Sequence, residues 1–251
     1  MNGPFFFRDC PDGVLQTIFR VKENQVNGSG NMTFGNLARA MEELTEAELE
    51  YYGMSQEYRK RTNQAWVISW TNIEVNRLPK TGEYVVLRIW PSKKKGGAHQ
   101  RKYGFSTMTG EPLVWVSSLF LMIHSDSRSL AAPDSHLEQI PIVKIDGEPA
   151  SPKLQIAFPE TMDQKAERTV QGAEIDKNGH LNNAYYLDWA EEILEKSGKH
   201  IDMVKRVWVC YNKELLEGDT AELLYEDSDG EFYLKGNKGT ETAFLMKIMF
   251  E

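Results

Sequence analysis

Apolar and polar positions along this chain follow two rhythms, and each rhythm occurs twice in the same order. From Val14 to Val21 they alternate with a period of two, as a half-buried strand requires, and a loop from Asn27 to Asn31 follows. Phe34, Leu37, Ala38, Met41 and Leu44 then fall at helical spacing, with Gly53 as a stop. Four runs rich in Val, Ile, Trp and Phe come next, QAWVISWTNIEVNR, EYVVLRIW, QRKYGFSTM and EPLVWVSSLFLMIHS, separated by LPKTG, KKKGG and MTGEP turns. The pattern predicts strand, loop, helix and antiparallel meander.

Between Arg128 and Pro159 periodicity fades, and Pro133, Pro141, Pro149, Pro152 and Pro159 interrupt the chain as a linker would. Beyond it the plan returns: a strand near Glu167 to Gln171, a polar turn, a helix to about Ser197, and strands in MVKRVWVCYNKE, DTAELLYED, GEFYLKGN and ETAFLMKIMF. Setting Met41–Leu44 (MEEL) against Ala190–Ile193 (AEEI) aligns the two helices and puts Asn31 opposite His180, as duplication of one unit would. The second helix carries Ala184, Tyr186, Leu187, Trp189, Ala190, Ile193 and Leu194 around much of its circumference, so a sheet must wrap it. The expected fold class is α+β, with repeats over residues 1–130 and 160–251 and a linker over 131–159.

With 251 residues, 41% hydrophobic and 26% charged, the chain has a globular composition. No stretch reaches the ~18 to 20 apolar residues of a membrane span, and the N-terminus lacks an export signal's basic start. A net charge of −8 argues against a general nucleic-acid binder. Cys10 and Cys210 sit in no metal-ligand spacing, which predicts free thiols in a reducing cytoplasm and no structural metal. Two basic islands stand out, Arg59, Lys60 and Arg61, then Lys93, Lys94, Lys95, Arg101 and Lys102. They read either as solvated faces or as docking points for an acidic partner.

The polar turn EIDKNGHLNNAYYLDWAEEIL holds the candidate chemistry. Asp176, Asn178 and His180 would point to one side if the segment were extended. Asn178-Gly179 is a turn dipeptide, and Asn182 or Asn183 can cap the helix, but a capped turn explains only two of the four polar residues and leaves Asp176 and His180 over. A calcium loop fails, because Leu181 and Leu187 occupy the places of its glycine and bidentate glutamate. A helix N-terminus does suit an acyl-transfer oxyanion, and His180 or a carboxylate of raised pKa can serve as base. Neither a G-x-S-x-G elbow nor a Walker-type loop is present.

This segment resembles the Asp-x-Asn-x-His-x-Asn-Asn motif of the acyl-acyl-carrier-protein thioesterases, the plant-type fatty acyl-ACP hydrolases and their bacterial relatives. WVISWTNIEVNRLPKTGE and SSLFLMIHSDSRSLAAP resemble first-repeat segments of that family, and VCYNKELLEGD resembles its strand with an essential glutamate, here Glu214. The resemblance implies two tandem hotdog domains, each a long helix wrapped by an antiparallel sheet. It implies hydrolysis of a fatty acyl thioester on acyl carrier protein, without a cofactor, and assembly into a homodimer. By motif the catalytic residues are Asp176, Asn178, His180 and Glu214. Asn182 and Asn183 would bind substrate at the helix start, and Met32, Phe34, Trp66 and Ile68 would line a first-repeat acyl pocket. Many plant members have a cysteine after the glutamate, where this chain has Leu215; Cys210, four residues before Glu214, would share its side of a strand but does not match the motif. Competing readings are a non-catalytic acyl-binding protein, an acyl-CoA hydrolase and a dehydratase.

Overall fold

The strand-like runs become ten strands of one antiparallel sheet, and the two helical runs become the long helices that pack against it. The computed structural model describes residues 13–132, 135–150 and 157–250; Cys10, Pro133 and Pro152 lie outside them. The N-terminal half comprises β1 (Leu15–Arg20), α1 (Phe34–Tyr51), α2 (Gln56–Arg61), β2 (Gln64–Val75), β3 (Tyr84–Lys95), β4 (Ala98–Thr107) and β5 (Pro112–His124). After α3 (Ser135–Gln139), the C-terminal half comprises β6 (Gln164–Thr169), α4 (Asn183–Lys196), β7 (Val204–Tyr211), β8 (Thr220–Ser228), β9 (Glu231–Lys238) and β10 (Glu241–Phe250). Periodicity did not announce α2 or α3, which are too short to show a helical stripe.

The strand order is β1-β3-β4-β5-β2-β7-β10-β9-β8-β6, so the second half repeats the first in reverse across a β2–β7 seam. Trp70 pairs with Cys210, Asn72 with Trp208 and Glu74 with Arg206 along that seam. One continuous apolar core runs through both halves, from Leu37 and Leu44 of α1 to Leu187 and Leu194 of α4 and the strands beneath. Every apolar residue singled out on the second helix is buried. The helices touch closely at the start of α1. A Cβ on Gly35 would lie 1.8 Å from Asp188 Oδ1, so only glycine admits this approach.

The basic islands are largely turned inward, which corrects half of the docking set. Arg59 is buried, donating to Met54 O at 2.6 Å and to Glu46 at 2.9 Å. Arg101 is 2% exposed and ion-paired with buried Glu48 at 2.6 Å, under the rings of Trp66 and Phe120. Lys102 binds Glu148 at 2.9 Å and Pro149 O at 2.7 Å, and Lys94 donates to Ile140 O, so both hold the linker against β3 and β4. Arg59 sits on α2 against Glu46 of α1, while consecutive Arg101 and Lys102 point to opposite faces of β4, one covered by α1 with Glu48 and the other by the linker with Glu148, so each finds a partner. Lys60, Arg61, Lys93 and Lys95 remain exposed.

The Arg101–Glu48 pair sets a clear stability expectation. Arg101→Met leaves a buried carboxylate without its cation and should lower the unfolding free energy by about 3–5 kcal/mol. Adding Glu48→Leu should recover most of that loss, as urea denaturation of the single and double variants would record.

Candidate active site

Asp176 organises a tight loop rather than an extended segment. Its Oδ1 accepts the N–H groups of Asn178 at 2.8 Å and His180 at 3.1 Å, while its own N–H donates to His180 O at 2.7 Å. Gly179, at φ +86°, closes the turn in a conformation that favours glycine. The expected one-sided strand is therefore absent, because the Asp176 carboxylate takes up backbone donors that a strand would give to a neighbour. Asp176, Asn178 and His180 still reach one cleft. Asn178 Nδ2 spends one hydrogen on Asp176 Oδ2, at 3.0 Å, and keeps a second for the cleft.

Glu214 arrives from the other side. β7 ends at Tyr211, so Glu214 lies in the loop beyond it, and strand alternation does not carry from Cys210 to Glu214 as the spacing predicted. The Leu181 N–H donates to Leu215 O at 2.7 Å, joining the residues that follow His180 and Glu214 and so setting the two side chains together. His180 Nε2 lies 3.3 Å from Glu214 Oε2. A carboxylate only accepts, so a hydrogen bond across this gap requires Nε2 to carry the proton. Burial, together with the Arg128 guanidinium, holds the imidazole pKa below its ordinary 6.5, against the opposing pull of Asp176. A neutral ring therefore prevails at neutral pH.

Arg128 is the site residue that sequence reasoning missed. It follows β5, in the N-terminal half, at φ +59°, and its guanidinium pairs with Glu214 Oε1. Nothing in SDSRSL marks this arginine, since its partner is far away in sequence. Cys210 is not part of the cluster: burial raises its thiol pKa, and its Sγ donates to Asn212 Oδ1 at 3.3 Å, both contrary to a nucleophile's needs.

The cleft holds about 530 Å³ and is walled by Trp66 and Ile68 as well as the polar cluster. Next to it a narrower cavity of about 120 Å³ runs between α1 and α4 over β2 and β5, past Met41, Leu49, Ile68, Phe120 and Leu187. Asn182 and Asn183 sit at its mouth. Asn182 caps α4, its Oδ1 accepting from Ala184 N at 2.9 Å, and among the described residues no protein group accepts from the Asn183 N–H. Met32 and Phe34 do not line either space. They are 0% and 1% exposed in the core at the entrance to α1, on the opposite side of the pseudo-symmetric pair, which corrects their assignment to the pocket.

Comparison with known proteins supplies the family. Residues 13–138 match the acyl-ACP thioesterase N-terminal domain, and residues 159–249 match the acyl-ACP thioesterase C-terminal domain. Among curated relatives, an acyl-[acyl-carrier-protein] hydrolase, FATB2, from Cuphea viscosissima is 24% identical over 96% of this chain and 61% of its own length. Oleoyl-acyl carrier protein thioesterase 1 of Arabidopsis thaliana is 21% identical over 82% of this chain and 62% of its own. The chain thus spans about three-fifths of these two relatives, both described as chloroplastic. A solved acyl-ACP thioesterase from Bacteroides thetaiotaomicron superposes with a TM-score of 0.83 at 20% identity, covering 95% of this chain and 98% of that one. The 12:0-ACP thioesterase from Umbellularia californica gives 0.81 at 19%, covering 96% and 98%. These likenesses establish the tandem hotdog fold. With both of its domains matched in order along one chain, the protein belongs to the acyl-ACP thioesterase family.

Proposed function

We propose that this protein hydrolyses thioesters between fatty acyl chains and the phosphopantetheine arm of acyl carrier protein, ending chain elongation. The observation that carries the reading is the meeting of Glu214, His180 and Asn178 beside an open helix-start N–H, in a cleft next to the cavity that Met41, Leu49, Ile68, Phe120 and Leu187 line. Water attacks the thioester carbonyl while Glu214 accepts its proton, with the neutral His180 holding the carboxylate on one side and Arg128 on the other. The Asn183 N–H and the second hydrogen of Asn178 Nδ2 face the oxyanion as it forms. The thiolate departs with a proton and leaves the free fatty acid. Asp176 acts by holding the loop. The acyl chain enters the cavity past Trp66 and Ile68; the N-terminal repeat, residues 1–130, supplies most of its wall and α4 the rest, while residues 160–251 carry His180 and Glu214, with 131–159 linking the two.

For the carrier, Lys60, Arg61, Lys93 and Lys95 are the exposed members of the two basic islands and suit an acidic surface. We further place the protein in a bacterial cytoplasm, as a homodimer, with its thiols free. Among the described residues no helix is long and apolar enough to cross a membrane.

Thiol release should be followed on a saturated acyl-ACP series beside the matching acyl-CoAs. Preference for acyl-ACP, lost in His180→Ala, is the expected result; preference for acyl-CoA reassigns the carrier, and no release by the folded protein sinks the reading. Glu214→Gln should cut kcat by about 10²–10⁴-fold while leaving the thermal midpoint near wild type. Activity within a few-fold would remove Glu214 as the base.

The pH dependence has a definite sign. Catalysis that needs a neutral His180 is lost as pH falls through a pKa below the ordinary 6.5. Arg128→Gln removes a cation that depresses that pKa, so the acid limb of kcat/KM should move to higher pH, and a limb that stays put or moves down contradicts the assignment. Carrier docking predicts a fall in kcat/KM for acyl-ACP with rising salt, steeper than for acyl-CoA.

A further inference from the structure

The duplicated helices allow a comparison of the two helix starts atom by atom. In the alignment that sets Asn31 opposite His180, Thr33 corresponds to Asn182, Phe34 to Asn183, and Glu42 of α1 to Glu191 of α4. Each glutamate reaches across to the N-terminus of the other helix, but the two do different things there.

At the start of α1, Glu191 Oε1 accepts from the Phe34 N–H at 2.6 Å and lies 3.4 Å from the Gly35 nitrogen. Phe34 is the counterpart of Asn183, so the group equivalent to the open helix-start donor is already taken. Burial lifts the Glu191 pKa to about 8, so at neutral pH the hydrogen bond, rather than a full charge, fills the position. Thr33, the cap residue here, has a hydroxyl that accepts from Asn36 N at 3.2 Å and Asn36 Nδ2 at 2.8 Å, and among the described residues no hydrogen bond joins it to Glu191.

At the start of α4 the cap is Asn182, whose amide has both an acceptor and donors. Oδ1 accepts from Ala184 N at 2.9 Å, while Nδ2 donates to Glu42 Oε2 at 2.7 Å. Glu42 lines the same cavity as Asn182 and Asn183. Held by the Asn182 amide, it leaves the Asn183 N–H free.

We propose that Asn182 is a positioning residue that diverts Glu42 from plugging the catalytic helix start, the plug that Glu191 forms in the N-terminal repeat. This inference rests on the thioesterase reading for its kinetic consequence but not for its geometry. Losing the Asn182 donor frees the Glu42 carboxylate to accept from Asn183 N–H and to compete with the oxyanion for it. Removal of one such donor from an oxyanion site costs about 10²–10³-fold in kcat.

The test is a double-mutant cycle of Asn182→Thr and Glu42→Ala. Threonine keeps a good N-cap, reproduces Thr33 and removes the amide donor. In the otherwise wild-type protein, Asn182→Thr should lower kcat on acyl-ACP at least tenfold; in the Glu42→Ala background the same change should stay within about threefold. An undiminished loss in that background means that Asn182 acts on substrate directly, and no loss in either background means that the donor is irrelevant; each overturns the proposal. Hydrogen exchange of the Asn183 amide supplies a readout free of substrate. Protection should rise in Asn182→Thr and return to the wild-type level when Glu42→Ala is added. A wild-type protein inactive on every thioester, yet showing this exchange pattern, would remove the thioesterase reading and leave the plug in place. Unchanged exchange in an active enzyme would do the reverse.

Discussion

The antiparallel pairing of β2 with β7 is the constraint on which the rest of the molecule depends. It joins two five-stranded sheets into one, with Trp70 opposite Cys210 and Glu74 opposite Arg206, and reinforces the join with an Arg206–Glu74 ion pair at 3.3 Å. Because side chains alternate with a period of two, a slip of one residue here would turn each buried residue of one half away from the shared core. With the register set, α1 and α4 must lie in contact, and the loop after β5 must meet the loop after β7. That meeting creates the cluster of Arg128, Glu214 and His180, which neither repeat possesses alone.

Duplication is visible in two equivalent loops that display different residues. In the N-terminal copy, Asn27 Oδ1 accepts from Ser29 N at 3.1 Å and Asn31 N at 3.0 Å, reproducing the turn that Asp176 builds in the C-terminal copy. There the likeness stops. Asn31 Nδ2, in the place of His180, is committed to Asp202 at 2.8 Å. The turn is thus a structural device common to both halves, and the two copies differ in the residues it displays.

The cavity between the helices is not uniformly greasy. Thr45 and Tyr103 share a hydrogen bond at 2.8 Å, and Thr71 and Ser118 share one at 2.9 Å, all four at its margins. The Arg101–Glu48 pair lies one layer further in, with Arg101 against Trp66 and Phe120, two residues that line the cavity. Partnered polar groups of this kind add little net stability compared with a hydrocarbon core. They do restrict how the surrounding rings can pack, and so give the apolar channel a firm inner wall.

Local patterning along the chain was enough to locate the elements and the polar loop. Period-two and period-3.6 patterning located β1 to β10 and both long helices, since each pattern depends only on neighbours in the chain. Asp176, Asn178 and His180 were legible for the same reason: they lie within five residues of one another. Tertiary structure decided what depends on distant partners. Whether Arg101 and Lys102 faced solvent turned on Glu48 and Glu148, and whether Met32 and Phe34 reached the pocket turned on the side of the pseudo-dimer on which α1 begins. Arg128 gained its role only when β2 met β7, because a charge has no assigned partner until the fold brings one within a few ångströms.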